Sequence, residues 1–176
     1  MKNKFFRFLS VAVAAAMLVP AMANAQGGKT NFAGNWVFNQ SKSDMGQPMG
    51  GGQGGGGQRM GGGNLSVKQE ANLLTVDRTR TGQDGQTQTT TEKYTLDGKE
   101  SVNTTPRGDA KSTVSWAADG KSLTIATTRS VNMNGETREM KSTAVWKLTD
   151  ANTLSVTTSM STPNGERVMK AVYDKK

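Results

Sequence analysis

Apolar and polar residues alternate with a period of two along most of the chain from Phe32 to Tyr173. Leu74-Thr-Val76 runs on to Asp84-Gly85 and returns at Tyr94. Leu123-Thr-Ile125 runs on to Asn134-Gly135 and returns at Ala144-Val145-Trp146. Leu154-Ser-Val156 runs on to Asn164-Gly165 and returns at Ala171-Val172-Tyr173. A strand, a tight turn and a strand ending in an aromatic, repeated about every 30 residues, describe an antiparallel meander. With the segments between these units, the pattern predicts about ten strands. No segment after residue 25 has a convincing helical period.

Residues paired across a hairpin share a face, so turn lengths can be tested against the alternation. A two-residue turn at Asn134-Gly135 sets Leu123 opposite Trp146, Ile125 opposite Ala144, Arg129 opposite Met140 and Arg138 opposite Val131. One at Asp119-Gly120 sets Trp116 opposite Leu123 and Val114 opposite Ile125. One at Asn164-Gly165 sets Val156 opposite Tyr173 and Met160 opposite Met169. The first unit needs a three-residue loop, Gln83-Asp84-Gly85, which sets Leu74 opposite Tyr94 and Val76 opposite Glu92. Asn-Gly and Asp-Gly suit such turns because the central residues take positive φ. One face of the sheet is then apolar, and the other is Thr, Ser, Lys and Glu. A long meander with one apolar face tends to curl and close, because closure removes exposed edges. The expected fold is all-β: an up-and-down antiparallel barrel of eight to ten strands over residues 31–174. A two-sheet sandwich is the alternative, with a crossing connection through 104–110 or the glycine-rich stretch.

The ends and insertions read differently. Lys2, Lys4 and Arg7 precede an apolar run from Phe8 to Val19, and Ala23-Asn24-Ala25 is a small-x-small cleavage site. This is the pattern of a secretory signal peptide, too short in its apolar part to span a bilayer comfortably. The mature chain is expected to start at Gln26, without a transmembrane segment, in the periplasm or outside the cell. Residues 44–64 are rich in Gly, Gln and Met and cannot bury enough apolar area to offset their ordering entropy, so they read as a disordered loop. Thioethers are soft Cu(I) ligands, but Met45, Met49 and Met60 lie in a stretch dominated by glycine, which reads as a plain flexible insertion.

Charge and missing residues exclude whole classes of chemistry. Removing three of the 22 basic residues, against 14 acidic ones, leaves a net charge of +5. The basic residues are scattered among Thr and Ser and not clustered with aromatics, so nucleic acid is not an expected partner. The chain has no Cys and no His. That removes disulfides, the commonest general base and the usual zinc ligands. Most acids lie in turns, and the inward-facing acidic candidates reduce to Glu92, whereas paired-carboxylate hydrolysis needs two. The expectation is a non-enzymatic protein without cofactor or metal.

Phe32-Ala-Gly34-Asn35-Trp36, opening a run of short strands after a signal peptide, resembles the Gly-x-Trp start of the lipocalins. The longer string through Asn39, Lys42 and Ser43 is similar to small secreted bacterial lipocalin-like proteins, as is the ending Val172-Tyr173-Asp174-Lys175-Lys176. The ten-stranded fatty-acid-binding barrels are a related alternative. The resemblance implies a barrel that holds a small apolar ligand, with Gly34 and Trp36 as structural signature. It also implies that Trp36 closes one end against an arginine of a late strand, for which Arg167 is the candidate.

By parity the inward face is apolar at one end and basic near the hairpin tips. Leu74 and Val76 lead to Arg78 and Arg80, and Leu123 and Ile125 lead to Thr127 and Arg129. An apolar wall with an arginine mouth suits an amphipathic anion, because guanidinium binds carboxylate in a bidentate fork. The expected site comprises Ile125, Trp116, Trp146 and Tyr173 against the apolar body, and Arg80, Arg129 and Arg138 at the anionic end. The alternative is a structural or interaction protein with a solid barrel core and no small-molecule ligand. Mass spectrometry of the exported protein is expected to find a chain beginning at Gln26; residues 1–25 still attached would overturn the cleavage site.

Overall fold

A computed structural model describes residues 28–46, 62–82, 84–105, 108–133, 136–162 and 165–176. The expected signal peptide, most of the glycine-rich stretch and the Asn134-Gly135 turn lie outside the described residues. The strands are β1 Gly34–Phe38, β2 Asn64–Gln69, β3 Leu73–Thr81, β4 Thr87–Thr95, β5 Ser101–Thr105, β6 Gly108–Trp116, β7 Ser122–Met133, β8 Glu136–Asp150, β9 Thr153–Thr162 and β10 Gly165–Lys175. They form one antiparallel sheet in the order β4-β3-β2-β1-β10-β9-β8-β7-β6-β5. Two meanders are joined where β1 meets β10, through Trp36 opposite Lys175 and Phe38 opposite Tyr173. The result is a nearly closed up-and-down barrel and not a two-sheet sandwich, and the described residues contain no α-helix.

The register follows the alternation in three units and departs from it in one. Leu74 faces Tyr94 and Val76 faces Glu92. Trp116 faces Leu123 and Val114 faces Ile125. Leu123 faces Trp146, Ile125 faces Ala144 and Val131 faces Arg138. In the last hairpin Thr162 pairs with Gly165, so Val156 faces Ala171, Met160 faces Arg167 and Tyr173 faces Leu154. The expected pairs Val156 with Tyr173 and Met160 with Met169 are therefore off by two residues. The shift is even, so every side chain keeps its face, and hydrophobic alternation alone cannot detect it. The Asp119-Gly120 turn also closes more widely than expected. Ala117 N–H donates to Ser122 O, Gly120 N–H donates to Ala117 O, and Gly120 takes the positive φ of 66°.

The glycine-rich stretch is anchored at both described ends. A short 3-10 helix, Gln40–Lys42, is capped by Asn39, whose side chain accepts from Lys42 N–H. Asp44 then bridges to Lys170 beside β10, and Asn64 already belongs to β2. Asp174 holds this exit in place. Its carboxylate accepts from Asn39 Nδ2 at 2.6 Å and from Lys42 Nζ at 2.9 Å. The hydrogen bond from Lys42, then that from Asn39, hold the carboxyl below the usual range.

The ring is not closed by backbone everywhere. β4 and β5 are consecutive, yet they are the two ends of the strand order. Side chains bridge them. Asn103 Oδ1 accepts from Lys93 N–H at 2.8 Å, and Asn103 Nδ2 donates to Lys93 O at 3.0 Å. Ser101 Oγ accepts from Thr95 N–H at 2.8 Å. Asn103 thus offers one donor and one acceptor, as a peptide group would, and satisfies edge groups that would otherwise be orphaned. Both residues are buried polar side chains. Asn103→Ala is expected to lower the unfolding free energy by about 1–3 kcal/mol, the range for buried groups left unpaired. Urea denaturation measures this, with the exposed neighbour Val102→Ala as a control expected within about 0.5 kcal/mol of the wild type. An Asn103→Ala midpoint no lower than the control's would show that the seam does not depend on this amide.

Candidate functional site

One end of the barrel is sealed. The segment before β1 crosses it and inserts Phe32, which is fully buried. The Phe32 ring stacks on Trp116 with centroids 6.0 Å apart and meets Trp146 edge-on at 6.0 Å. Gln69 clamps the segment: Phe32 N–H donates to Gln69 Oε1 at 2.9 Å, and Gln69 Nε2 donates to Thr30 O at 3.0 Å. Trp36 Nε1 donates to Phe32 O at 3.0 Å, and Thr30 N–H donates to Gly120 O at 2.9 Å. All three tryptophans of the chain therefore gather at this end. The alternation assigns Phe32 to the first strand; its role as a plug has no local sequence signal.

Inward rows change character away from the plug. The first row runs Trp116, Leu123, Trp146, Val156, Ala171, and the next runs Val114, Ile125, Ala144, Thr158, Met169. The third is Ser112, Thr127, Ser142, Met160, Arg167, and above it stand Ala110, Arg129 and Met140. The first row is packed, with Leu123 at 0% exposure and Trp146 at 3%. In the upper rows Ala144, Thr158, Thr127, Arg129 and Met140 are half-exposed although they point inward. Inward side chains reach water only through an open lumen or a gap between strands. On the outer face, a concavity of about 250 Å³ lined by Lys141, Thr143, Ser159, Ser161 and Glu166 lies beside the end of the β8–β9 ladder at Ser142 and Met160.

A charged cluster lies on the inward face of this upper half. Arg78 Nη1 donates to Tyr173 Oη at 3.2 Å. Glu92 lies diagonally from Arg78, because Val76 faces Glu92 and Arg78 faces Thr90. Burial works to lower the Arg78 pKa, but the fields of Tyr173 and Glu92, the Tyr173 hydrogen bond and Tyr94 together outweigh it, and the net shift is upward. Burial pushes the Tyr94 hydroxyl upward, and so do the charge of Glu92 and the hydrogen bond with it, while Arg78 and Arg129 pull it back. Tyr94 therefore stays neutral and lies within the field of both guanidinium groups. Arg129 Nε is buried without a hydrogen-bond partner.

The residues expected in the site are brought together only in part. Arg129 and Tyr173 reach the cluster. Ile125 is 4% exposed, within the packed core. Trp116 and Trp146 are at the sealed end, six residues of strand below Arg129 on the β7 scale, or about 20 Å at the usual rise. They form the plugged floor and not the wall beside the arginines. Arg80 and Arg138 lie near the hairpin tips and are exposed. Arg78, Glu92 and Tyr94 complete the cluster. Their parity and spacing carry the signal, since Glu92 pairs beside Arg78 once the three-residue loop is accepted.

The expected partnership of Trp36 with Arg167 is not formed. Arg167 Nη2 donates to Met45 O at 3.0 Å, near the opposite end of β10. The cation over the Trp36 ring is Lys175, with Nζ 5.4 Å from the centroid. Gly34 is required beneath it: φ is 148°, and a Cβ there would meet Lys175 Cε at 3.0 Å. The two-residue offset of the last hairpin does not account for this, because Trp36 faces Lys175 directly across β1 and β10.

No protein-family model matches this chain, and no curated protein does. Among solved structures, its fold is similar to that of zebrafish ileal bile acid-binding protein complexed with cholic acid. The TM-score is 0.56 at 19% identity, over 82% of this chain and 98% of that one. At that identity the likeness is one of fold. Because Phe32 fills the sealed end, Phe32→Ala is expected to cost about 3–5 kcal/mol of stability. Thermal unfolding of that variant, followed by tryptophan fluorescence, checks it; an unchanged midpoint would mean the plug is not part of the cooperative unit.

Proposed function

We propose that this protein is an exported, non-enzymatic barrel that binds a small amphipathic anion in its upper half. The observation that carries the reading is Arg129, an inward guanidinium with a buried, unpartnered Nε above an apolar floor. A buried donor without an acceptor is costly, and a ligand carboxylate would satisfy it. The anionic end lies at Arg129 beside Tyr94, and the apolar body lies against Ala144, Met140 and the row of Val114 and Ile125. Arg80 and Arg138, at the tips, attract the anion from solution and are screened by salt. The likeness to a bile acid-binding barrel supports an amphipathic ligand for this type of lumen. The pattern of residues 1–25 supports export, and the absence of His and Cys supports binding over catalysis.

The packed lower half favours a second reading, in which the barrel is a solid interaction scaffold. Calorimetry separates the two. Dodecanoate is expected to bind more tightly than its methyl ester. Arg129→Met should weaken the acid by about 10-fold or more, since contacts to charged groups contribute about 1.5–3 kcal/mol. The ester should be unaffected, and Arg138→Met should matter less than Arg129→Met. Equal losses for acid and ester would reject the anionic site, and no binding of either would favour the scaffold.

A further inference from the structure

Two inward arginines of the upper half share one feature. The Nε donors of Arg129 and Arg167 are both buried without a hydrogen-bond partner. Each of these residues faces a methionine directly across its strand pair: Arg129 stands opposite Met140 on β7 and β8, and Arg167 opposite Met160 on β10 and β9. Side chains paired in this way stand on one face of the sheet with Cβ atoms about 4.5–5.5 Å apart. A thioether sulfur is a weak acceptor and leaves a buried N–H nearly unsatisfied. The two methionines differ in access. Met160 is 7% exposed, whereas Met140 is half-exposed and lies just beyond the end of the β8–β9 ladder at Ser142 and Met160. A soft metal ion at either thioether would face a guanidinium charge across the strand pair, so the pattern does not suit a cation.

We propose that Met140 is a site of oxidation to the sulfoxide, with Arg129 Nε as the donor that receives the new oxygen. The oxidant is a peroxide. The sulfur lone pair attacks one peroxide oxygen, the O–O bond breaks as the S–O bond forms, and the proton on the transferred oxygen passes to the oxygen that leaves. The thioether is oxidised to the sulfoxide and hydrogen peroxide is reduced to water. Sulfoxide formation normally disrupts packed methionines, because it places a polar group among apolar ones. Here the sulfoxide oxygen stands as many bonds beyond the Met140 Cβ as Nε stands beyond the Arg129 Cβ, so acceptor and donor reach the same height above the sheet. Oxidation replaces an unmet donor by a charge-assisted hydrogen bond. The same donor is the one assigned above to a ligand carboxylate. Oxidation therefore also closes the anion site, a consequence that rests on the reading just given.

Brief treatment of the purified chain with hydrogen peroxide, followed by peptide mass mapping, should oxidise Met140 at least about tenfold faster than Met160 or Met169. Treated Met140→Leu, in each background, removes the contribution of the other methionines. Against it, the thermal midpoint of the treated wild type should agree within about 2 °C, while the treated Arg129→Leu chain should lie lower by about 2–4 °C or more, the shift for one buried acceptor left unpaired in a domain of this size. Met160→Gln and Met169→Gln test the geometry without an oxidant. These methionines are similarly buried, 7% and 6% exposed, but Met169 faces Thr158 and not a guanidinium. Glutamine sets an acceptor where the sulfoxide oxygen would be, so Met160→Gln should unfold about 4 °C or more above Met169→Gln. Calorimetry should show dodecanoate weakened about fivefold or more by oxidation of the wild type, and less than about twofold by the same treatment of Met140→Leu, whatever that variant's own affinity. An unreactive Met140, an Arg129→Leu chain no more sensitive than the wild type, Met160→Gln no more stable than Met169→Gln, or dodecanoate binding that oxidation leaves unchanged would each overturn the proposal. Dodecanoate that never binds the untreated protein would sink the ligand reading instead, and the mapping and midpoints would still decide the oxidation site.

Discussion

A strand edge must find hydrogen-bond partners, and this barrel meets that requirement with side-chain amides where backbone does not reach. Asn103 pairs with both polar groups of Lys93 across the β4–β5 seam. Gln69 does the same for the plug, pairing with Phe32 N–H and Thr30 O. Each amide presents a donor and an acceptor in one plane, the chemistry of the peptide it replaces. Without the first, the ring would end in two edges. Without the second, Phe32 would have no fixed place over the tryptophans, and the packed rows above it would lose their floor.

The seam and the plug also divide the barrel by depth. Near the plug, large apolar side chains fill the interior and little water enters. Higher up, the same inward parity delivers Thr127, Ser142, Arg129 and Arg78, which cannot pack dry. The polar character of the upper half is thus a consequence of long strands that continue past their apolar segments. Leu123 and Ile125 lie deep in the barrel, and the same strand, β7, carries Arg129 toward the rim. Fold and candidate site are one pattern read at two heights.

Much of this was legible in the chain. The period of two, the turn dipeptides and the repeated aromatic gave ten strands and their inward faces, because alternation is a direct record of which side is buried. What parity cannot record is a shift by two, and the last hairpin departs in that way. Contacts made by segments outside the pattern were equally silent. Phe32 looks like a strand residue, Asn103 and Gln69 look like ordinary polar positions, and Lys175 looks like a solvated tail. The arginine gradient was visible, but how deep each arginine of that face lies was not: Arg78 reaches Tyr173, whereas Arg80 and Arg138 are exposed near the tips. The expected anionic end was Arg80, Arg129 and Arg138; the proposed one keeps Arg129 and adds its neighbours Arg78, Tyr94 and Glu92.

Phe32 and the three tryptophans close one end of the barrel. A ligand bound as proposed could not pass through that end, so its uptake and release would share the route at the other end. The tail of such a ligand, resting on the aromatic floor, would set the height of its head group above it. The separation between that floor and Arg129 would then act as a gauge of chain length: a short tail would leave its head below the guanidinium, and a long one would lift it past. Moving the floor by altering the plug would recalibrate the gauge without touching any charged residue.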